Sequence, residues 1–80
     1  MTRLPTIWAC IKEKMPRGVW IDIEDIYNLI KNNISLDDED FEWQSPTSDI
    51  PKWKRNVRNV LQYRKSRKKI QWNGDRKYRI

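Results

Sequence analysis

The sequence predicts one small α+β domain built from three main helices, a short strand and a C-terminal β-hairpin, on three observations. Apolar residues recur at helical spacing in three separate stretches. A short β-rich segment, Val19-Trp20-Ile21, lies between the first two, and Asn73-Gly74 separates two alternating segments near the end. Within 80 residues, 38% of them apolar and 35% charged, there is room for a single core. A chain this short buries only about 60–65% of its unfolded surface. Five of the aromatic residues are tryptophan, which brings much buried area per position.

The first helix is expected from Leu4 to Met15, with Leu4, Ile7, Trp8, Ile11 and Met15 on one face and Pro5 in the first turn. Pro16-Arg17-Gly18 ends it. After the brief strand Val19-Trp20-Ile21, Asp22 offers its carboxylate to the amides of a second helix, whose apolar positions are Ile26, Leu29 and Ile30 and which runs to about Asn32. Ser35 to Trp43 reads as a short capped helix carrying Asp37, Asp38, Glu39 and Asp40 beside Leu36, Phe41 and Trp43. Gln44 to Ile50 is rich in turn formers and reads as a connector.

Pro51 opens the third main helix, and no Gly or Pro follows until Gly74, which permits about four turns. Trp53, Val57, Val60 and Leu61 share one stripe and define its buried face. Arg55, Asn59, Gln62 and Ser66 project on the other side, flanked by Lys52 and Arg58. Arg64 falls in the apolar stripe, where its stem packs and its charge turns outward. A plain two-residue turn at Asn73-Gly74 would put Ile70 and Trp72 on the opposite face from Tyr78 and Ile80. An odd-length loop with Gly74 in a left-handed bulge conformation sends all four to the core face, and is the expected form.

The net charge of +6 is unevenly placed. Residues up to Ile50 carry 5 basic and 10 acidic side chains, and the remainder 12 basic and 1 acidic, so the halves stand at −5 and +11. Such a polarity points to a polyanion-binding C-terminal surface. The single cysteine, Cys10, forms neither an internal disulfide nor a zinc site alone, and reads as a small packing residue. No histidine is present, which removes the commonest general base and argues against an enzyme. The acidic cluster lacks the central Gly and ligand spacing of a calcium loop, so neither metal nor cofactor is expected. The apolar runs are too short for a membrane span of about 20 residues, and a cytoplasmic location is expected. Of the tryptophans, Trp8, Trp53 and Trp72 lie on apolar faces and are assigned to the core, whereas Trp20 is out of phase with Val19 and Ile21 and is expected to be partly exposed.

Helix, strand, helix, helix and hairpin is the element order of the winged helix-turn-helix superfamily. Within it, GVWIDIEDIYNLI, ISLDDEDF and PKWKRNVRNVLQYRKSRKKIQWNGDRKYRI, spanning roughly Gly18 to Ile80, resemble the N-terminal domain of Mrr-like restriction proteins. The likeness rests on an acidic segment, a polar connector, a W-x-x-x-V-x-x-x-L helix and a closing Gly-x-x-x-Tyr-x-Ile wing. It breaks at Arg67-Lys68-Lys69, where that family usually places a small residue or Gly.

The resemblance implies a non-catalytic domain that binds double-stranded DNA, with the third helix in the major groove and the wing on the backbone. Its role would be target recognition for a restriction-type or regulatory protein. The nuclease part of such proteins is absent from these residues. The whole of residues 1–80 is expected to form the domain, as the N-terminal module of a larger protein with a tethered catalytic domain or a homodimeric state, and with no small-molecule substrate. Arg55, Asn59 and Gln62 are the expected base readers. Lys52, Lys54, Arg58, Lys65, Arg67, Lys68 and Lys69 are expected DNA contacts along the helix, with Asn73, Arg76 and Lys77 at the wing, where Arg76 and Lys77 meet the backbone. The rival reading is a protein-interaction winged helix that docks an acidic partner.

Overall fold

A computed structural model of the chain describes residues 2–43, 45 and 50–80. It is a small α+β domain of three helices and a three-stranded antiparallel sheet. The elements are α1 (Leu4–Lys14), β1 (Ile21–Asp22), α2 (Ile23–Asn33), α3 (Lys52–Ser66), β2 (Gln71–Trp72) and β3 (Lys77–Arg79). Among the described residues no helix is long and apolar enough to cross a membrane.

Helix α1 carries Pro5 in its first turn, and stops where the Met15 N–H bonds the Ile11 carbonyl at 3.0 Å. Ile7, Trp8, Ile11 and Met15 are buried as their spacing requires, while Leu4 stays exposed at the first turn. Gly18, at φ +78°, then donates its N–H to the carbonyl of Ile80 at 2.8 Å. A left-handed residue is needed to turn the chain onto the sheet, and glycine takes that conformation without steric cost. β1 is consequently shorter and later than the expected Val19-Trp20-Ile21. Its pairing with β3 joins Ile21 to Tyr78 and Asp22 to Lys77, and Val19 and Trp20 lie outside it.

Asp22 caps α2 as its sequence position suggests, Oδ1 accepting the Glu24 N–H at 2.9 Å. That bond, then the charge of Arg76, hold its carboxyl below the usual 3.8. Ile26 and Ile30 are fully buried, Leu29 is half-buried, and Tyr27, absent from the expected stripe, is buried instead. Tyr27 meets Trp53 edge to face, with ring centroids 5.7 Å apart and planes at 76°.

The acidic segment is not the expected short helix. Residues 37–42 form successive turns through N–H to carbonyl bonds three residues back, Asp40 to Asp37, Phe41 to Asp38 and Glu42 to Glu39. Its purpose is visible at the start of α3. The first two N–H groups of that helix, on Lys52 and Trp53, donate to the carbonyls of Glu42 and Asp40 at 2.8 and 3.0 Å. Backbone oxygens thus satisfy amides that Pro51 has no side-chain donor or acceptor to cap, and the surrounding carboxylates suit the positive end of the helix. Most of the expected connector, Gln44 and residues 46–49, lies outside the described residues.

α3 buries Trp53, Val57, Val60 and Leu61 as expected, and adds Asn56, whose Nδ2 reaches the Thr2 carbonyl at 3.4 Å. Ile70, between α3 and β2, and Tyr78 of β3 complete the core. Helix α3 ends with Lys68 at φ 60°, its N–H bonding the Lys65 carbonyl at 3.0 Å and the Lys69 N–H reaching Arg64 at 2.9 Å. This is the paired termination that usually employs glycine at the left-handed position.

The hairpin takes the expected odd-length form. Trp72 stands opposite Tyr78 and Gln71 opposite Arg79, with Gly74 at φ +86° in the loop. The Asn73 side chain accepts the N–H groups of Asp75 and Lys77 at 2.8 and 3.2 Å, and the Trp72 indole donates to the Asp75 carbonyl at 2.8 Å. The strand order β1-β3-β2 explains a departure from expectation. Tyr78, on the central strand, is buried. Trp72 shares its face but stands on the edge strand, and is 38% exposed rather than part of the core.

Candidate nucleic-acid interface

Helical periodicity turns α3 so that its buried stripe fixes the opposite face toward solvent, and on that face Arg58, Asn59 and Gln62 are exposed. Arg55, expected beside them, is half-buried, and its Nε is out of contact with solvent and unpaired among the described residues. The open arginine of this face is therefore Arg58. Gln62 lies 3.5 Å from the Tyr78 hydroxyl, a contact at the long limit of hydrogen bonding, so its amide is free to re-aim.

Between α3 and the hairpin runs a groove of about 410 Å³, its walls including Lys54, Arg58, Gln62, Tyr27, Trp72 and Arg76. Burial pushes the Tyr27 and Tyr78 hydroxyls up from their ordinary pKa of 10.0, against the lowering effect of the nearby Arg58 charge. Both remain protonated donors at neutral pH. Lys54 has its ammonium 5.0 Å from the Tyr27 ring centroid and 5.7 Å from that of Trp53.

The basic run after Tyr63 is organised by aromatic rings. The Arg64 guanidinium lies 4.8 Å from the centroid of the Trp8 ring, which is how a charge in the apolar stripe is accommodated. Arg67 lies 5.3 Å from Tyr63, Lys65 4.4 Å from Trp72, and Arg79 4.7 Å from Trp20. Lys68 and Lys69 are exposed at the end of α3, and Lys77 on β3. Such stacking fixes where the charges sit without neutralising them.

Three expected contacts have partners within the fold. Lys52 pairs with Glu42 at 3.7 Å, and Arg76 with Asp22 and Glu24 at 3.5 and 3.6 Å, so that Arg76 ties the hairpin loop to the start of α2. These pairs are solvent-exposed and individually weak. The Asn73 amide oxygen is committed to its own turn. The sequence reading passed over Arg79, whose guanidinium donates to the Gln71 side-chain oxygen while lying over Trp20. The alternation of cations with Trp and Tyr along residues 63–79 was the available signal. Cys10 packs half-buried against the core, and burial pushes its thiol pKa up. No family model, curated protein or solved structure matches the chain.

Proposed function

We propose that this chain is a winged helix-turn-helix domain that binds double-stranded DNA without catalysing a reaction. Helix α3 enters the major groove, and the β2–β3 hairpin rests on the flanking backbone. The observation that carries this reading is the clustering of cations around one open face. Arg58, Asn59 and Gln62 stand on it, with Lys65 in the last turn of the same helix and Lys68 and Lys69 just past its C-terminus. Lysine and arginine there supply affinity by displacing counterions from phosphates. Arg58, Asn59 and Gln62 supply the side-chain types that distinguish base edges. The order β1-β3-β2, with the hairpin following α3 directly, supports the assignment to the superfamily. The likeness to Mrr-like restriction proteins adds target recognition for a restriction-type or regulatory protein as the biological role.

The test is a gel-shift titration of a random-sequence duplex at about 50 mM salt. Retarded complexes that compete with unlabelled duplex support the reading. Unshifted duplex throughout the titration removes it and favours the rival, a domain that docks an acidic partner. That rival draws on the apolar groove between α1 and α3, where Leu4, Trp8 and Tyr63 are edged by Arg64.

A further inference from the structure

Two exposed tryptophans, Trp20 at 40% and Trp72 at 38%, line one groove of about 540 Å³ beside the end of α3. The remaining walls are Lys65, Lys68, Ile70 and Gln71. Two large aromatic side chains facing a shared open groove are more than the scattered exposure ordinary to a small domain. Among the described residues the groove has aromatic and amide surface, two ammonium groups and no carboxylate. Its volume falls within the range of small-ligand sites. A planar, anionic occupant matches that lining.

We propose that this groove seats an unpaired nucleotide of a nucleic-acid strand, the base stacking on Trp20 and the phosphate meeting Lys65 and Lys68. The chemistry is that of aromatic platforms in single-strand binding, where every base offers a π-face and the strand is held by cations. The local structure prepares it. Arg79 lies 4.7 Å from the Trp20 centroid and donates to the Gln71 oxygen at 2.8 Å, which orients the Gln71 amide so that its N–H groups are left for a base carbonyl. Trp72 is fixed by its indole bond to Asp75. Lys68 projects from a left-handed backbone position where glycine would be easier, so the chain retains a cation there against a conformational cost. This seat goes beyond the duplex reading, because a base inside a duplex presents no free face to a groove wall.

The experiment measures fluorescence anisotropy of the whole chain with three labelled DNAs: a blunt duplex, the same duplex with a thymidine overhang of about five nucleotides, and free oligothymidine. The overhang is expected to tighten binding about 5- to 100-fold over the blunt duplex, the range that one stacked base supplies. Trp20→Leu, which keeps apolar bulk and loses the aromatic face, is expected to abolish that gain, whereas Trp20→Phe retains most of it, with thermal melts of both variants recorded alongside. Equal affinity of wild type for blunt and overhanging duplex overturns the seat while leaving the duplex reading intact. A full overhang gain in a folded Trp20→Leu overturns it as well. Binding of oligothymidine that depends on Trp20, with no binding to blunt duplex, supports the seat and removes the duplex reading instead.

Discussion

The Asp40 carboxylate, only 1% exposed, holds Thr2 from both sides: Oδ1 accepts the Thr2 N–H at 2.8 Å and Oδ2 its hydroxyl at 3.0 Å. Oδ2 also accepts the N–H of Asp37 at 3.0 Å, while the Asp40 carbonyl receives the second amide of α3. One residue thereby joins the start of the chain, the acidic turn and the helix that carries the proposed interface.

Both oxygens of that carboxylate accept from backbone N–H groups, so asparagine, with one oxygen and one NH₂, can satisfy only one of them. Asp40→Asn is therefore expected to destabilise the domain nearly as much as Asp40→Ala, by about 1.5–3 kcal/mol, because hydrogen bonds to a buried charged group are lost and amides are left unpaired. For a domain of this size that is a fall in Tm of roughly 6 °C or more. Thermal melts of the two variants check it. An Asp40→Asn protein melting with wild type would show that the carboxylate is not the organising acceptor.

Much of the fold was legible because it rests on local periodicity. The spacing of Trp53, Val57, Val60 and Leu61 gives the buried face of α3, and the parity of Ile70, Trp72, Tyr78 and Ile80 gives an odd hairpin loop. What local pattern cannot carry is decided by neighbours distant in sequence. Asp40 reads as one carboxylate in a run, and only the fold brings Thr2 to it from 38 positions away. Parity put Trp72 on the face of Tyr78 correctly, yet burial depends on which strand is central, and that is a property of the sheet order. Helical phase placed Arg55 among the readers and registered nothing of the surroundings that half-bury it. Within the candidate interface, residue types were readable, while the cation–aromatic pairings of Lys65, Arg67 and Arg79 were not.

Lys68 occupies a left-handed conformation that disfavours any residue with a Cβ. Lys68→Gly is expected to stabilise the domain by about 0.5–1 kcal/mol, the relief of backbone strain being partly offset by the greater freedom of glycine when unfolded. The same substitution is expected to weaken DNA binding. Denaturant melts and a binding titration on one preparation read both effects. A loss of stability would show that the helix termination does not need the left-handed turn.

The Asp22 carboxyl is held below its ordinary 3.8 by the Glu24 N–H and then by Arg76. A group whose pKa is depressed on folding contributes stability that is present above its unfolded value and is lost as pH falls through the folded one. Wild type is thus expected to lose stability below about pH 3.8 more steeply than Asp22→Asn, which keeps a capping oxygen and has no charge to lose. Tm measured from pH 5 to pH 2 should show the two curves converging in acid. Parallel curves would contradict the assignment.

Arg58 and Asn59 stand on the open face of α3, whereas Lys69 lies beyond its end. Arg58→Ala and Asn59→Ala are expected to cost about 1–3 kcal/mol of discrimination between a preferred and a scrambled site. Lys69→Ala is expected to weaken both sites alike and to lower the salt slope by about one. Selection from randomised duplexes, followed by affinities on both sites, separates the classes. Equal losses on both sites for all three variants would make α3 an electrostatic anchor alone.

The central claim, that the basic half of this chain engages duplex phosphates, is tested most directly by the dependence of the duplex association constant on salt. With about five or six phosphates neutralised by α3 and the hairpin, the plot of log K against log salt concentration is expected to be linear with a slope near −5. A slope near zero, or the absence of binding at about 50 mM salt, would contradict the claim.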